Sequence, residues 1–375
     1  MTPTQFARVK AVFMAAQAVP EAERGAFLDR ECAGDAEVRA EVASLLGHVD
    51  DEALFEPVGQ APADDPLGLI GAVLDDRYAV QAFVAEGGFG HVYRAEHLRW
   101  RRPVAVKVFK PYLSAQDRAD LLEDFVREGA LLAQLSRQTT AIVQSYDVGV
   151  WQSPGGDGLF FTVLEWLDGW NLATLRKADP APWPLDRVRS TLAPVAQALA
   201  VAHANQVAHR DVKPDNIFVL SDAGATGPHI KLLDFGVAKV AADKARGFLS
   251  TAGHASAFSV GYAAPEQVQR SLGATGPWTD VHGLALVASE LLSGKRPYGE
   301  GDVIEAMRAA KAATRPTPTA LGVEVPAAVE RVLDRALTLD PQARFPDAAA
   351  FWAAFEAAAE GRPAPGRWWQ FWKKG

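Results

Sequence analysis

The sequence predicts an α+β fold in two lobes, a small β-rich part followed by a larger helical part, with a small helical unit ahead of both. Three observations predict it. Short β-like runs come first, at Tyr78–Val84, His91–His97 and Val104–Phe109. Helical patterns dominate afterwards, at Asp186–Ala204, Thr279–Leu292 and Ala327–Leu337. Residues 1–56 repeat apolar positions at helical spacing. A block of strands followed by a block of helices points to segregated layers rather than to alternating βαβ units.

The N-terminal unit starts with Phe6, Val9, Val12, Phe13 and Ala16 on one helical face. Pro20 suits the first turn of a second helix that holds Phe27 and Leu28. Gly34-Asp35 supplies a break and an N-cap for a third, with Val38, Val42, Leu45 and Leu46 on one face. Residues 57–71 open with a Pro-, Gly- and Asp-rich run and read as a linker. The main domain is expected over residues 72–356, with its first lobe to about residue 166 and its second from about 167. Residues 357–375 form a basic, Trp-rich tail.

With 375 residues, 49% hydrophobic and 22% charged, the chain is long and apolar enough to bury a large core. Its single cysteine, Cys32, excludes an intramolecular disulfide, suits a reducing compartment and is expected as a buried small apolar residue. No signal-peptide pattern and no apolar run of about 18 residues is seen, so the expected location is the cytoplasm. Net charge is -8, and residues 1–70 carry all of that excess. A basic nucleic-acid footprint is absent, and nucleic acid is not expected as a partner.

Between two strand-like runs lies Ala85-Glu86-Gly87-Gly88-Phe89-Gly90-His91-Val92. Glycines let backbone amides approach phosphates, although a hairpin turn would use them equally well. Val104-Ala105-Val106-Lys107 is an apolar strand ending in a lysine, whose ammonium needs anionic partners if it is buried. Phosphates would serve, with Glu128 on the helical stretch Leu121–Leu135 as the carboxylate candidate, although taken by itself Glu128 reads as a solvated helix charge. The strongest signal is His209-Arg210-Asp211-Val212-Lys213-Pro214-Asp215-Asn216. Asp211 can orient a hydroxyl and accept its proton, Lys213 can neutralise a transferring phosphoryl group, and Asn216 offers an oxygen to a hard cation. Leu233-Asp234-Phe235-Gly236 follows, and Asp234 would hold Mg2+ bridging the phosphates.

In order and context these residues resemble the bacterial, eukaryotic-like serine/threonine protein kinases over roughly residues 72–356. The resemblance implies a bilobal kinase-like fold, ATP as phosphoryl donor, Mg2+ or Mn2+ as cofactor, and protein substrates. It makes Lys107 the contact to the α/β-phosphates, Glu128 its helix partner, Asp211 the base, and Asn216 and Asp234 the metal ligands. Glu165-Trp166-Leu167 falls at the adenine-binding hinge after a gatekeeper Leu164, and Val92 and Ala105 would pack on the adenine ring. Ala264-Pro265-Glu266 resembles the A-P-E element, Arg344 its ion-pair partner, and Asp280 the brace of the catalytic loop. Lys213, two residues after Asp211, follows the Ser/Thr rather than the Tyr pattern, and the A-P-E element argues against small-molecule phosphotransferases.

Ala85 departs from the family's first glycine, and Phe258-Ser259 from its usual Gly-Thr, which leaves peptide preference open. Arg210 implies pairing with a phosphate on the activation segment, and Ser250, Thr251 and Ser256 are the candidate acceptors. The tail Arg367-Trp368-Trp369-Gln370-Phe371-Trp372-Lys373-Lys374 fits attachment at a membrane surface or docking onto the kinase or a partner; an ordinary free tail is the bland reading. The competing function is a pseudokinase scaffold, which loss of Lys107, Asp211 or Asp234 would favour; all three are present.

Overall fold

Alternation of buried and more open side chains along His91–His97 and Pro103–Phe109 builds the first lobe. The computed structural model describes residues 12, 19, 21–32, 35, 38–39, 65–87, 90–109, 118–152, 158–221, 229–235, 261–299 and 303–362. The chain divides into two units, Met1–Ala63 with Arg246–His254, and the remainder. In the first, helix α1 (Glu21–Glu31) starts directly after Pro20, and Leu28 and Cys32 are buried. Asp35 accepts the amide of Val38 at 3.1 Å, the capping bond expected there.

In the second unit, strands β1 (Val73–Leu74), β2 (Tyr78–Gly87), β3 (Gly90–His97), β4 (Arg102–Phe109), β5 (Ser145–Gln152) and β6 (Gly158–Glu165) form one antiparallel sheet. Its order is β1-β2-β3-β4-β6-β5. Tyr78, Tyr93, Val106, Phe161 and Val163 fill its core. Residues 65–71, placed in the linker on sequence grounds, instead pack onto this sheet. Leu69 is buried, and Asp65 accepts the amides of Leu69 and Ile70 and the hydroxyl of Tyr93, all at 2.9–3.1 Å. The linker reading followed from Pro and Asp content, but here Asp65 acts as the cap of a turn.

Helix α2 (Arg118–Gln138) crosses between lobes. Gly129 is what lets it approach β5, since a Cβ there would lie 2.3 Å from Cγ1 of Val148. Its end, Leu132 and Leu135, joins the core of the helical lobe. That lobe contains α3 (Leu172–Ala178), α4 (Leu185–Ala204), α5 (Pro265–Val268), α6 (Pro277–Ser293), α7 (Val303–Ala310), α8 (Ala327–Ala336) and α9 (Ala348–Ala359). A small sheet, β7 (Gly169–Asn171), β8 (Ile217–Leu220) and β9 (Ile230–Leu232), lies beside α3 and α4. Helix α6 is buried from Thr279 to Ser293 and forms the central post of the lobe.

Candidate active site

The catalytic stretch is a loop between α4 and β8, and it is held from below by one buried carboxylate. Asp280, in the first turn of α6, accepts the amides of His209 at 2.7 Å and Arg210 at 2.6 Å. It also takes Nε2 of His203 at 2.8 Å. Nδ1 of His203 accepts the amide of Ala348 at 3.1 Å, so Nε2 carries the proton and donates. His203 is a brace that the sequence did not reveal: an isolated histidine in the last turn of a helix has no pattern to mark it.

His209 is fully buried and completes the scaffold. Its Nδ1 accepts the amide of Asp211 at 3.2 Å, and its Nε2 donates to the carbonyl of Leu233 at 2.7 Å. Desolvation pushes its pKa below the ordinary histidine value, with the Asp280 charge opposing, so the ring is neutral at pH 7. One imidazole thus ties the loop of Asp211 to the loop of Asp234. Arg210 (φ 62°) and Asp234 (φ 51°) both adopt the left-handed region, unusual for residues with a Cβ. Strain at positions that the surroundings fix so fully is a common mark of a functional site.

Lys213 Nζ lies 3.0 Å from Asp211 Oδ2. Asn216 Nδ2 donates to the Asp211 carbonyl at 2.7 Å and to Oδ2 at 3.1 Å. The amide nitrogen of Asn216 is therefore committed, and its Oδ1 is the side-chain atom that would be offered to a cation. Across the cleft, Lys107 Nζ meets Asp234 Oδ1 at 2.5 Å. The donor set, one carboxylate and one amide oxygen, fits Mg2+, which usually takes one or two protein oxygens and completes its shell with phosphates and water. Among the described residues no cluster of three or more His, Cys, Asp or Glu forms a metal site independent of substrate.

Several of the other sequence candidates lie on the strands beside Lys107. Val92 pairs with Lys107 and with Ala85, and Ala105 pairs with Leu164. Gly87 and Gly90 pair across the turn. A Cβ at Gly90 would meet the carbonyl oxygen of Val108 at 2.1 Å, so this glycine is required by the strand pairing itself. Glu165 closes β6 and leads into Leu167. Gly88, Phe89, Gly236, the Phe258-Ser259 substitution, Ser250, Thr251 and Ser256 lie outside the described residues, and so does the side chain of Glu128. Its backbone is on α2 as expected.

Below the cleft, Arg344 forms a two-pronged pair with Glu266, Nη1–Oε1 and Nη2–Oε2 both at 2.9 Å. Tyr262 donates its hydroxyl to Glu290, a contact the sequence did not signal; burial raises the pKa of both groups.

The model of the protein kinase domain matches residues 78–352, well over half of the chain. The chain belongs to the protein kinase family. The serine/threonine-protein kinase PknL of Mycobacterium tuberculosis is 33% identical over 302 residues, covering 80% of this chain and 70% of PknL. PknA of the same organism is 33% identical over 298 residues, covering 79% of this chain and 64% of PknA. The crystal structure of the M. tuberculosis PknI kinase domain superposes with a TM-score of 0.57 at 26% identity, covering 77% of this chain and 99% of that one. This kinase has the β-rich and helical lobes of the family and is an ATP-dependent protein-serine/threonine kinase that works with a divalent metal. The pseudokinase alternative is not favoured.

Proposed function

We propose that this kinase transfers the γ-phosphoryl group of ATP to protein Ser or Thr hydroxyls with Asp211 as base, Lys213 and Lys107 as charge-bearing contacts, and Asn216 and Asp234 holding Mg2+. The observation that carries it is the Asp211–Lys213–Asn216 cluster with Lys107–Asp234 opposite. Asp211 accepts the proton from the attacking hydroxyl. Lys213, beside it, offsets negative charge gathering on the transferred group. The bound cation supplies electrostatic stabilisation of phosphate oxygens. Asn216 stiffens Asp211 while presenting its own oxygen. The backbone of Glu165 and Leu167 takes the adenine edge, with Leu164, Val92 and Ala105 around the ring. Labelled ATP, Mg2+ and a generic protein substrate test this. The wild type labels Ser or Thr, and Asp211→Ala does not; no labelling by wild type under any divalent metal would instead mark a scaffold.

The activation segment is proposed to autophosphorylate at Ser250, Thr251 or Ser256 and to dock the phosphate on Arg210, as a phosphate near an arginine gains charge-assisted hydrogen bonds. Mass spectrometry showing that segment unmodified in fully active enzyme would sink this. The kinase is proposed to act in the cytoplasm. The tail is proposed as a docking element, on the kinase, on a partner or on a membrane. Liposome sedimentation with and without residues 362–375 separates these, since equal pelleting excludes the membrane.

A further inference from the structure

The hinge between the lobes is fixed by side chains that the reaction does not use. Glu165 is half-buried, and its Oε1 accepts two donors at once, Nζ of Lys231 at 2.5 Å and the amide of Gln144 at 2.7 Å. Its own amide returns a bond to the carbonyl of Gln144 at 2.9 Å. Lys231 comes from β9 in the helical lobe, and Glu165 ends β6 in the sheet lobe, so the ion pair crosses between lobes. Both side chains are mostly buried, 15% and 18% exposed, which limits solvent screening of the pair. Elsewhere on the hinge, Arg94 stacks over Trp166 at 5.2 Å, and the Asp168 carbonyl accepts the amide of Ser221 at 2.9 Å.

Strand β9 also serves the other end of the nucleotide site. Lys231 sits on it, and Asp234 follows three residues later. The strand is locked to the segment after α2 by Leu232 N to Ala141 O at 2.7 Å and Val143 N to Leu232 O at 3.1 Å. One short strand therefore carries the hinge-gripping lysine, and the Asp234 carboxylate that meets Lys107 lies two residues beyond its end. A lysine at the middle of a three-residue strand in a small sheet could extend into water at little cost. Here it is turned onto a carboxylate already held by a backbone amide.

We infer that Lys231 is a positioning residue for nucleotide: through Glu165 it sets the hinge backbone against the adenine and fixes the distance between that backbone and Asp234. The inference rests on the proposed reading of Glu165–Leu167 as the adenine contact. Adenine lies far from the transferring phosphoryl group, so its contacts are the same in ground and transition states. Losing their alignment raises KM for ATP and leaves kcat in place.

The test is steady-state kinetics of the full chain with ATP and with GTP, whose base edge presents a different donor and acceptor order. In Lys231→Met, KM for ATP should rise roughly three- to tenfold with kcat within about twofold, and the preference for ATP over GTP should shrink. Lys231→Arg should keep most of the wild-type KM. Glu165→Gln, which retains an acceptor for the Gln144 amide, should give an intermediate rise and serves if Lys231→Met fails to fold. A normal KM with a lowered Tm in these variants overturns the inference and leaves the pair a purely structural tie. Wild type that uses ATP and GTP equally overturns the hinge reading, and the inference with it. An ATP preference that survives Lys231→Met unchanged overturns only the inference.

Discussion

Two ion pairs in this kinase are chemically alike and built in opposite ways. Glu266–Arg344 lies within the helical lobe with both side chains fully buried. Every guanidinium nitrogen is engaged: Nε on the Thr338 carbonyl, Nη1 on Glu266 and the Trp278 carbonyl, and Nη2 on Glu266 and the Leu339 carbonyl. Thr279 adds a hydroxyl to the carboxylate at 2.8 Å. Among the described residues, Lys107–Asp234 is a single ion-pair contact between a 12% exposed lysine and a 43% exposed aspartate. The sealed pair has no reason to change partners. The open pair keeps lone pairs and protons that phosphate oxygens and a cation can take over, and this is the difference between a charge used for architecture and a charge used for chemistry.

The widest break between the two should come from changing function without fold. Asp211→Ala should lower the phosphorylation rate by about 10²–10⁴-fold, the usual contribution of a positioned base. Lys107→Met should lower it comparably. Both should melt close to wild type, because neither residue seals a core. A melting loss in Lys107→Met as large as that of an Arg344 variant would erase the distinction.

The converse variant is Arg344→Ala. It leaves the Glu266 carboxylate buried without its cation and should cost roughly 3–5 kcal/mol, read by chemical denaturation. Replacing Glu266 and Arg344 together by apolar residues should cost less than the single change, since no charge is then stranded. Arg344→Lys should restore only part, because a lysine cannot reproduce the fork on both oxygens.

Much of this is legible in the sequence alone. The β-like runs at Tyr78–Val84, His91–His97 and Val104–Phe109 and the helical pattern over Asp186–Ala204 lie within a few residues of the strands and helix found. The loop cluster is legible because Asp211, Lys213 and Asn216 stand within six residues of one another, and the structure brings their side chains together. What escaped was whatever depends on distant parts of the chain meeting. His203 reaches Asp280 across 77 residues, Lys231 reaches Glu165 across 66, and Tyr262 reaches Glu290 across 28. Each is a single polar residue within an ordinary element, with no local period to betray its partner. Residues 65–71 were misassigned for a related reason: turn-rich composition reads as linker until Tyr93, on another strand, supplies the anchor.

A smaller effect concerns protons rather than partners. His209 and His282 are fully buried, and desolvation lowers both pKa values from 6.5, for His282 with added repulsion from Arg344 and Arg315. Above about pH 6.5 both rings are neutral in folded and unfolded chains alike. Below it the unfolded chain takes up protons that the folded chain refuses. Stability is therefore fully present above the unfolded pKa and declines as pH falls beneath it, by at most about 1.4 kcal/mol per pH unit for each histidine. Denaturation at pH 7.5, 6.5 and 5.5 should show the decline, and His282→Leu should flatten part of it. An unchanged slope in that variant would mean His282 does not contribute. This sharpens the contrast of the ion pairs, since Arg344 helps hold a neighbouring imidazole neutral while Lys107 meets a partly exposed carboxylate.

The smallest predicted effect asks whether a buried carboxylate needs a cation at all. Asp65 is as enclosed as many core residues, yet the bonds that hold it come from uncharged donors, the amides of Leu69 and Ile70 and the hydroxyl of Tyr93. The same hydroxyl accepts the amide of Leu67 at 3.1 Å. Tyr93→Phe removes one donor to Asp65 and one acceptor for Leu67 while keeping the ring that packs on Phe83 at 5.5 Å. Two backbone amides remain on the carboxylate, and the Leu67 amide is near the surface, so the cost should be about 1 kcal/mol with the phosphorylation rate unchanged. A loss as large as that of Arg344→Ala would show that the enclosed carboxylate depends on every donor it has, and that the cation in the Glu266 pair is less special than its burial implies.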